Sequence, residues 1–289
     1  MNDSITIRKT RELGEILSDG FLFLRYNLKY FYKPILIISI IWSALYATAL
    51  YNGFIDLSGS TALVNINPSQ FFLKIGSLVL FSLIVGYTLY LILLNYISFK
   101  INNSEGQPEI NDLLKNFIPT FFRLFLYGII STFIFIGLCL LFLIPGIWFM
   151  VIFINFFQVT FFENKPFGPT LSRSRFLVKD NWWNTFLAFL VPVLLVDLIL
   201  IPFAFILQFS VLKDIMVGGK PSLHYGLGAS IGYFFYYLLN NFLLLYPITC
   251  TVLQYFNLVE KKDNLGMLRQ LDTLGSNTLN PGILGPEEY

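Results

Sequence analysis

The residue with the most chemistry to offer is Asp197, a lone carboxylate in an apolar run between Pro192 and Pro202. An ionised carboxylate at membrane depth must be protonated, paired or aimed into a polar cavity. Asn240 and Asn241 lie at a similar depth in a later apolar run and are its nearest candidate partners. Asn155, Gln158 and Asn95 add further polar atoms within such runs. Two readings follow. These groups converge on a proton or substrate site around Asp197, or Asp197 is a neutral acid bonded to an asparagine, a helix-locking contact of about 1 kcal/mol. Other chemistry is sparse. His224 is the single histidine, so no multi-histidine metal site can be built within the chain. Cys139 and Cys250 each sit inside an apolar run and read as core fillers rather than as a disulfide or metal pair. There is no P-loop, G-x-S-x-G, H-E-x-x-H, C-x-x-C or dinucleotide fingerprint. The reading is a chain without an enzyme's machinery and without a cofactor, leaving only intramembrane carboxylate chemistry open.

The elements that must carry these groups are membrane helices. Of 289 residues 56% are apolar and 12% charged, with mean hydropathy +0.68. A soluble domain carries about 25% charge. The 32 phenylalanines and 16 tyrosines suit lipid-facing and interfacial positions. A spanning helix needs roughly 20 apolar residues, and six runs qualify: 34–51, 71–98, 119–144, 147–162, 182–209 and 229–258. None alternates with period two, so a barrel is excluded. The expected fold is an all-α polytopic bundle, with residues 1–33 before it and a partly disordered tail at 259–289. Ala47-Thr48-Ala49 imitates a cleavage site, but the long charged segment before the first run makes that run a retained anchor.

Charge orients the bundle. Arg8, Lys9, Arg11, Arg25, Lys29, Lys33, Lys100, Lys115, Arg123, Lys165, Arg173, Arg175, Lys179, Lys261, Lys262 and Arg269 flank one side, 16 of the 19 basic residues. Only Lys74, Lys213 and Lys220 flank the other. The positive-inside rule places both termini in the cytoplasm of a bacterial inner membrane. The net charge of +2 implies no nucleic-acid partner. Ile144-Pro145-Gly146 is expected to turn tightly between the third and fourth spans.

Each inside segment has an amphipathic pattern: Leu13, Ile16, Leu17, Phe21 and Leu24; then Ile110, Leu113, Leu114 and Phe117; then Leu171, Arg175, Val178 and Lys179. Such helices lie in the headgroup plane, so the chain reads as three units of interfacial helix plus hairpin. Arg173, Arg175 and Lys179 are candidate contacts for lipid phosphate or simple topology signals, and Trp182 and Trp183 are interfacial anchors. Leu265, Leu268, Leu271 and Leu274 offer a short helical face in the tail.

The most characteristic stretch runs from Pro145-Gly146-Ile147-Trp148 through Phe162-Glu163 and Thr170-Leu171-Ser172-Arg173-Ser174 to Trp182-Trp183-Asn184-Thr185-Phe186. It resembles the membrane-domain family found fused to some glycerophosphodiester phosphodiesterases and also standing alone in bacteria, here in a Bacteroidota-like form. Thr170 stands where that family usually has alanine. The resemblance implies a fold and topology, not an activity, because catalysis in the fused members belongs to a separate barrel. Some stand-alone relatives resemble components of clusters encoded beside a MoxR-type ATPase, which would make this chain a subunit. The expectation is therefore a non-catalytic assembly subunit partnered by lipid and other membrane proteins; the alternative is a transporter or lipid-handling protein working around Asp197.

Overall fold

A computed structural model describes residues 6–51, 68–102, 108–216 and 227–263. Most of the two loops read from the sequence at 52–70 and 210–228, and the leucine face of the tail, lie outside the described residues. Every element within them is helical: α1 (Leu13–Tyr51), α2 (Pro68–Asn102), the single turn α3 (Ile110–Leu113), α4 (Phe117–Leu141), α5 (Leu143–Phe162), α6 (Phe167–Val178), α7 (Trp182–Met216), α8 (Leu227–Leu243) and α9 (Leu245–Asp263). Six helical segments among the described residues are long and apolar enough to cross a membrane, with α8 and α9 counting as one. The chain is a multi-pass helical membrane protein.

The elements depart from the expected divisions for identifiable reasons. α1 runs unbroken through Pro34, so the first inside segment is not a separate interfacial helix. Phe31 and Ile35, fully buried on either side of Pro34, hold the helix by packing, and membrane helices tolerate a proline whose freed carbonyl can be re-satisfied locally. The turn between α4 and α5 falls at the extended residue Phe142, and Pro145 lies in the first turn of α5. There a missing N–H leaves no bond unmade. α7 likewise continues through Pro192 and Pro202. The last span instead interrupts at Leu244, one residue past Leu243, whose carbonyl Pro247 cannot engage.

The described helices do not confirm three units of interfacial helix plus hairpin. The middle inside segment is one turn, closed by a capping box between Glu109 and Asp112 and tied down by Asn95, whose amide donates to the Leu113 carbonyl at 2.8 Å. α1 packs more extensively on α8 and α9 than on α2, so the first and last spans embrace. Aromatic contacts mark these seams: Phe31 against Tyr96 (4.5 Å), Trp42 stacked on Phe81 (5.1 Å) and Tyr46 against Tyr237 (3.9 Å).

α9 is the central post, touching α1, α2, α5, α6, α7 and α8. The last span is 72% buried over its most apolar window, against 17% for the spans of α4 and α7. Thr249, Thr251, Gln254, Asn257 and Glu260 are all buried on α9. Lipid offers no hydrogen bonds, so the helix richest in polar side chains is the one that hides in the middle.

Candidate functional site

α7 turns a stripe of small and branched residues inward. Thr185, Ala188, Pro192, Val196 and Leu200 are buried at three- to four-residue spacing along the helix, as a packed helical face requires. Asp197 follows Val196 by one position, about 100° around the axis, and is exposed at the shoulder of the outward face. Its neighbours on that face are Leu194, Leu198 and Ile201, exposed by 55%, 68% and 60%. Asp197 makes no hydrogen bond or ion pair with any described residue; the Tyr236 phenol on α8 is within its electrostatic reach. It lies fifteen positions after Trp182, about 22 Å along the helix and so within a hydrocarbon core about 30 Å thick.

The other polar candidates do not gather around it. Asn241 is buried and its side-chain nitrogen lacks a hydrogen-bond partner among the described residues, whereas Asn240 is half-buried. Neither is bonded to Asp197. Asn155 and Gln158 are fully buried, with both side-chain polar atoms of Asn155 and the oxygen of Gln158 unpartnered among the described residues. They share the α5 stripe that ends in Phe162, which stacks on Tyr255 at 5.5 Å and meets Phe256 at 4.9 Å. Asn155 and Gln158 therefore face α9, while Asp197 faces outward. A cavity of about 250 Å³ lies nearby, lined by Leu83, Gly86, Tyr87, Tyr90, Phe157 and Ile248 among others, with none of these five residues in its wall. The buried Tyr90 hydroxyl has no hydrogen-bond partner among the described residues.

The densest polar chemistry is at the basic end. Glu163, just past α5, accepts from Arg173 Nε at 3.0 Å, from Lys165 at 2.5 Å and from the Tyr255 hydroxyl at 3.2 Å. Arg173 then grips Asp263, the last residue of α9, with both terminal nitrogens (3.0 and 2.5 Å). The Asp263 hydrogen bonds, reinforced by Glu163 and opposed by burial, raise the Arg173 pKa above its ordinary value. Lys262 adds a 3.0 Å bridge to Asp180. Arg123 closes the start of α4 onto Asn164 and the Thr160 carbonyl.

A second chain of bonds crosses the bundle beside it. Gln254 donates to Thr185 at 3.0 Å, Asn257 to Gln254 at 2.9 Å, and the Arg11 backbone N–H to Asn257 at 2.8 Å. The Arg11 side chain is fully buried and reaches Asp19 at 2.9 Å, the Ile7 carbonyl at 2.8 Å and the Thr6 carbonyl. Burial alone would raise the Asp19 carboxyl, but hydrogen bonds and charge from Arg11 and Lys9 outweigh it and lower its pKa. The N-terminal segment is thereby clasped to the end of α9.

These networks reassign the headgroup candidates. The Arg173 guanidinium is occupied by two carboxylates, and α6 does not lie alone in the headgroup plane. It packs along α5, burying Thr170, Ser174, Leu177 and Val178. Thr170 donates to the Lys165 carbonyl at 3.0 Å, tying the helix start to the preceding turn. Arg175 lies 5.7 Å over the Trp148 ring, and the Trp182 indole donates to the Trp148 carbonyl at 3.4 Å. Arg175, Lys179 and Trp183 are exposed. The Glu163–Arg173–Asp263 clamp and the Arg11–Asn257–Gln254–Thr185 chain were not foreseen. Their one visible sign is the pair Gln254 and Asn257, polar at helical spacing inside the last span.

Comparison with known protein families, with curated proteins and with solved structures yields no match.

Proposed function

We propose that this chain is a non-catalytic subunit of a larger assembly in the bacterial inner membrane, docking another membrane protein through the outer face of α7. The observation that carries the reading is Asp197: an intramembrane carboxylate on an outward helix face with no hydrogen bond or ion pair among the described residues. Intramembrane charges ordinarily face a bundle interior or a water-filled cavity. A free monomer in lipid would leave this one in hydrocarbon, whereas an adjoining helix would enclose it. The ion-pair clamp supports the same reading from the basic end, since it fixes α6, α9 and the start of α7 as a rigid platform. The basic asymmetry supports a cytoplasmic position for that platform and for both termini. Association with a MoxR-type ATPase rests on the family resemblance around residues 145–186.

The transport or lipid-handling reading draws on a different observation, the unpartnered amides of Asn155 and Gln158 facing α9. It requires uptake or export that Asn155→Leu abolishes in a folded protein. The subunit reading is tested by purification in mild detergent followed by native mass spectrometry. A stoichiometric membrane partner is expected; a folded, clean monomer overturns it.

A further inference from the structure

We propose that the helix received at Asp197 belongs to a different chain and carries a lysine or arginine near its own midpoint. This rests on the subunit reading and specifies the partner's chemistry. A carboxyl group in hydrocarbon is either protonated or paired, and one that stays ionised can be relieved by reaching the interface, by pairing within its own chain, by pairing with a second copy, or by meeting a foreign cation. The first route is closed by geometry. Asp197 lies about 22 Å from Trp182 and about 18 Å from Phe209, the two ends of the membrane-length segment, and its short side chain cannot snorkel as lysine or arginine does. The second is not met by any described residue.

A second copy fits poorly. A two-fold dimer on this face sets Asp197 near Asp197, and like charges there oppose one another. The basic residue nearest in sequence is Lys213, sixteen positions on, about 24 Å along α7. A cation from another helix neutralises the carboxylate where it stands.

The surroundings suit such a guest. Leu194, Leu198 and Ile201 make an exposed ridge at the spacing by which helices interdigitate. Tyr236 lies within electrostatic reach of Asp197 and carries a phenol hydroxyl able to donate and a ring able to face a cation. α7 and α8 approach closely at Gly232, where an added Cβ would come within 2.5 Å of Leu207 Cδ2. The acceptor is thus a two-helix ledge with one carboxylate on its edge.

The test uses the full chain reconstituted in lipid nanodiscs, with fluorescently labelled leucine-rich peptides of about 20 residues carrying one central lysine, arginine, aspartate or leucine as probes. Energy transfer should show lysine and arginine peptides binding at least about tenfold more tightly than the all-leucine peptide. Asp197→Asn should remove that preference, Asp197→Glu should keep it, and Asp197→Lys should transfer it to the aspartate peptide. Helical content and melting temperature of each variant establish that it is folded. Equal binding of the all-leucine peptide to the wild-type chain overturns the inference, as does undiminished lysine-peptide binding to Asp197→Asn. Self-association of the wild-type chain that Asp197→Leu abolishes also overturns it, assigning the face to a second copy. The two proposals fail separately. A clean monomer in mild detergent that still selects the lysine peptide sinks only the subunit reading. An intact native complex whose chain ignores the lysine peptide sinks only this inference.

Discussion

Arg173 shows how one side chain can join three elements. Its guanidinium fork spans Glu163 after α5 and Asp263 at the end of α9 from a position on α6, a task for which a planar five-donor group is suited and an ammonium is not. Arg173→Gln should lower stability by about 1–3 kcal/mol, because two part-buried carboxylates lose a charged donor. Arg173→Lys should recover less than half of that, as read from thermal unfolding in detergent. Asp19 gives a pH-dependent counterpart in the charged first part of α1. Its folded pKa lies below the model-peptide value of 3.8, so its contribution is fully present above that value and is lost as pH falls through the folded pKa. Acidification below pH ~4 should therefore loosen the N-terminal clasp, seen as faster amide exchange at Arg11. In Asp19→Asn the exchange should already be fast at neutral pH and should change little on acidification.

Helix contacts depend on small residues whose importance composition cannot reveal. Gly128 on α4 faces Tyr87 of α2 so closely that an added Cβ would lie 1.8 Å from the phenol oxygen and 2.7 Å from Cζ. Alanine ordinarily gains about 0.5–1 kcal/mol over glycine in a helix, but here overpacking of about 1–3 kcal/mol outweighs it. Gly128→Ala should melt at lower temperature, and adding Tyr87→Leu should restore part of the loss. An unchanged melting temperature would show that the α2–α4 seam yields freely. The elements themselves were readable from hydropathy, each of the six runs overlapping one of the six helical segments found, though the third run passes beyond the end of α4 at Leu141. Their ends were less so. Proline marks a missing donor, but whether it breaks a helix depends on its neighbours: packing carries α1 through Pro34, whereas the last span interrupts before Pro247.

The whole bundle is organised around the most polar of its spanning segments. Because Asp263 takes both terminal nitrogens of Arg173, Asp263→Asn should approach the loss of thermal stability seen with Arg173→Gln. Reporter fusions to either terminus should register a cytoplasmic location, since 16 of 19 basic residues flank one side. A periplasmic signal from either end would refute that orientation. Composition and run length determined that this chain is a multi-pass helical membrane protein, because burying so much apolar surface in water is physically closed to it. They also singled out Asp197, since a carboxylate in hydrocarbon is conspicuous in any arrangement. Which way Asp197 faces, that Asn155 and Gln158 turn to α9 instead, and that Arg173 grips two acids were decided only by tertiary packing. Helix rotation and neighbour choice are set by side-chain contacts between segments far apart in the chain, and a hydropathy profile has no coordinate for either.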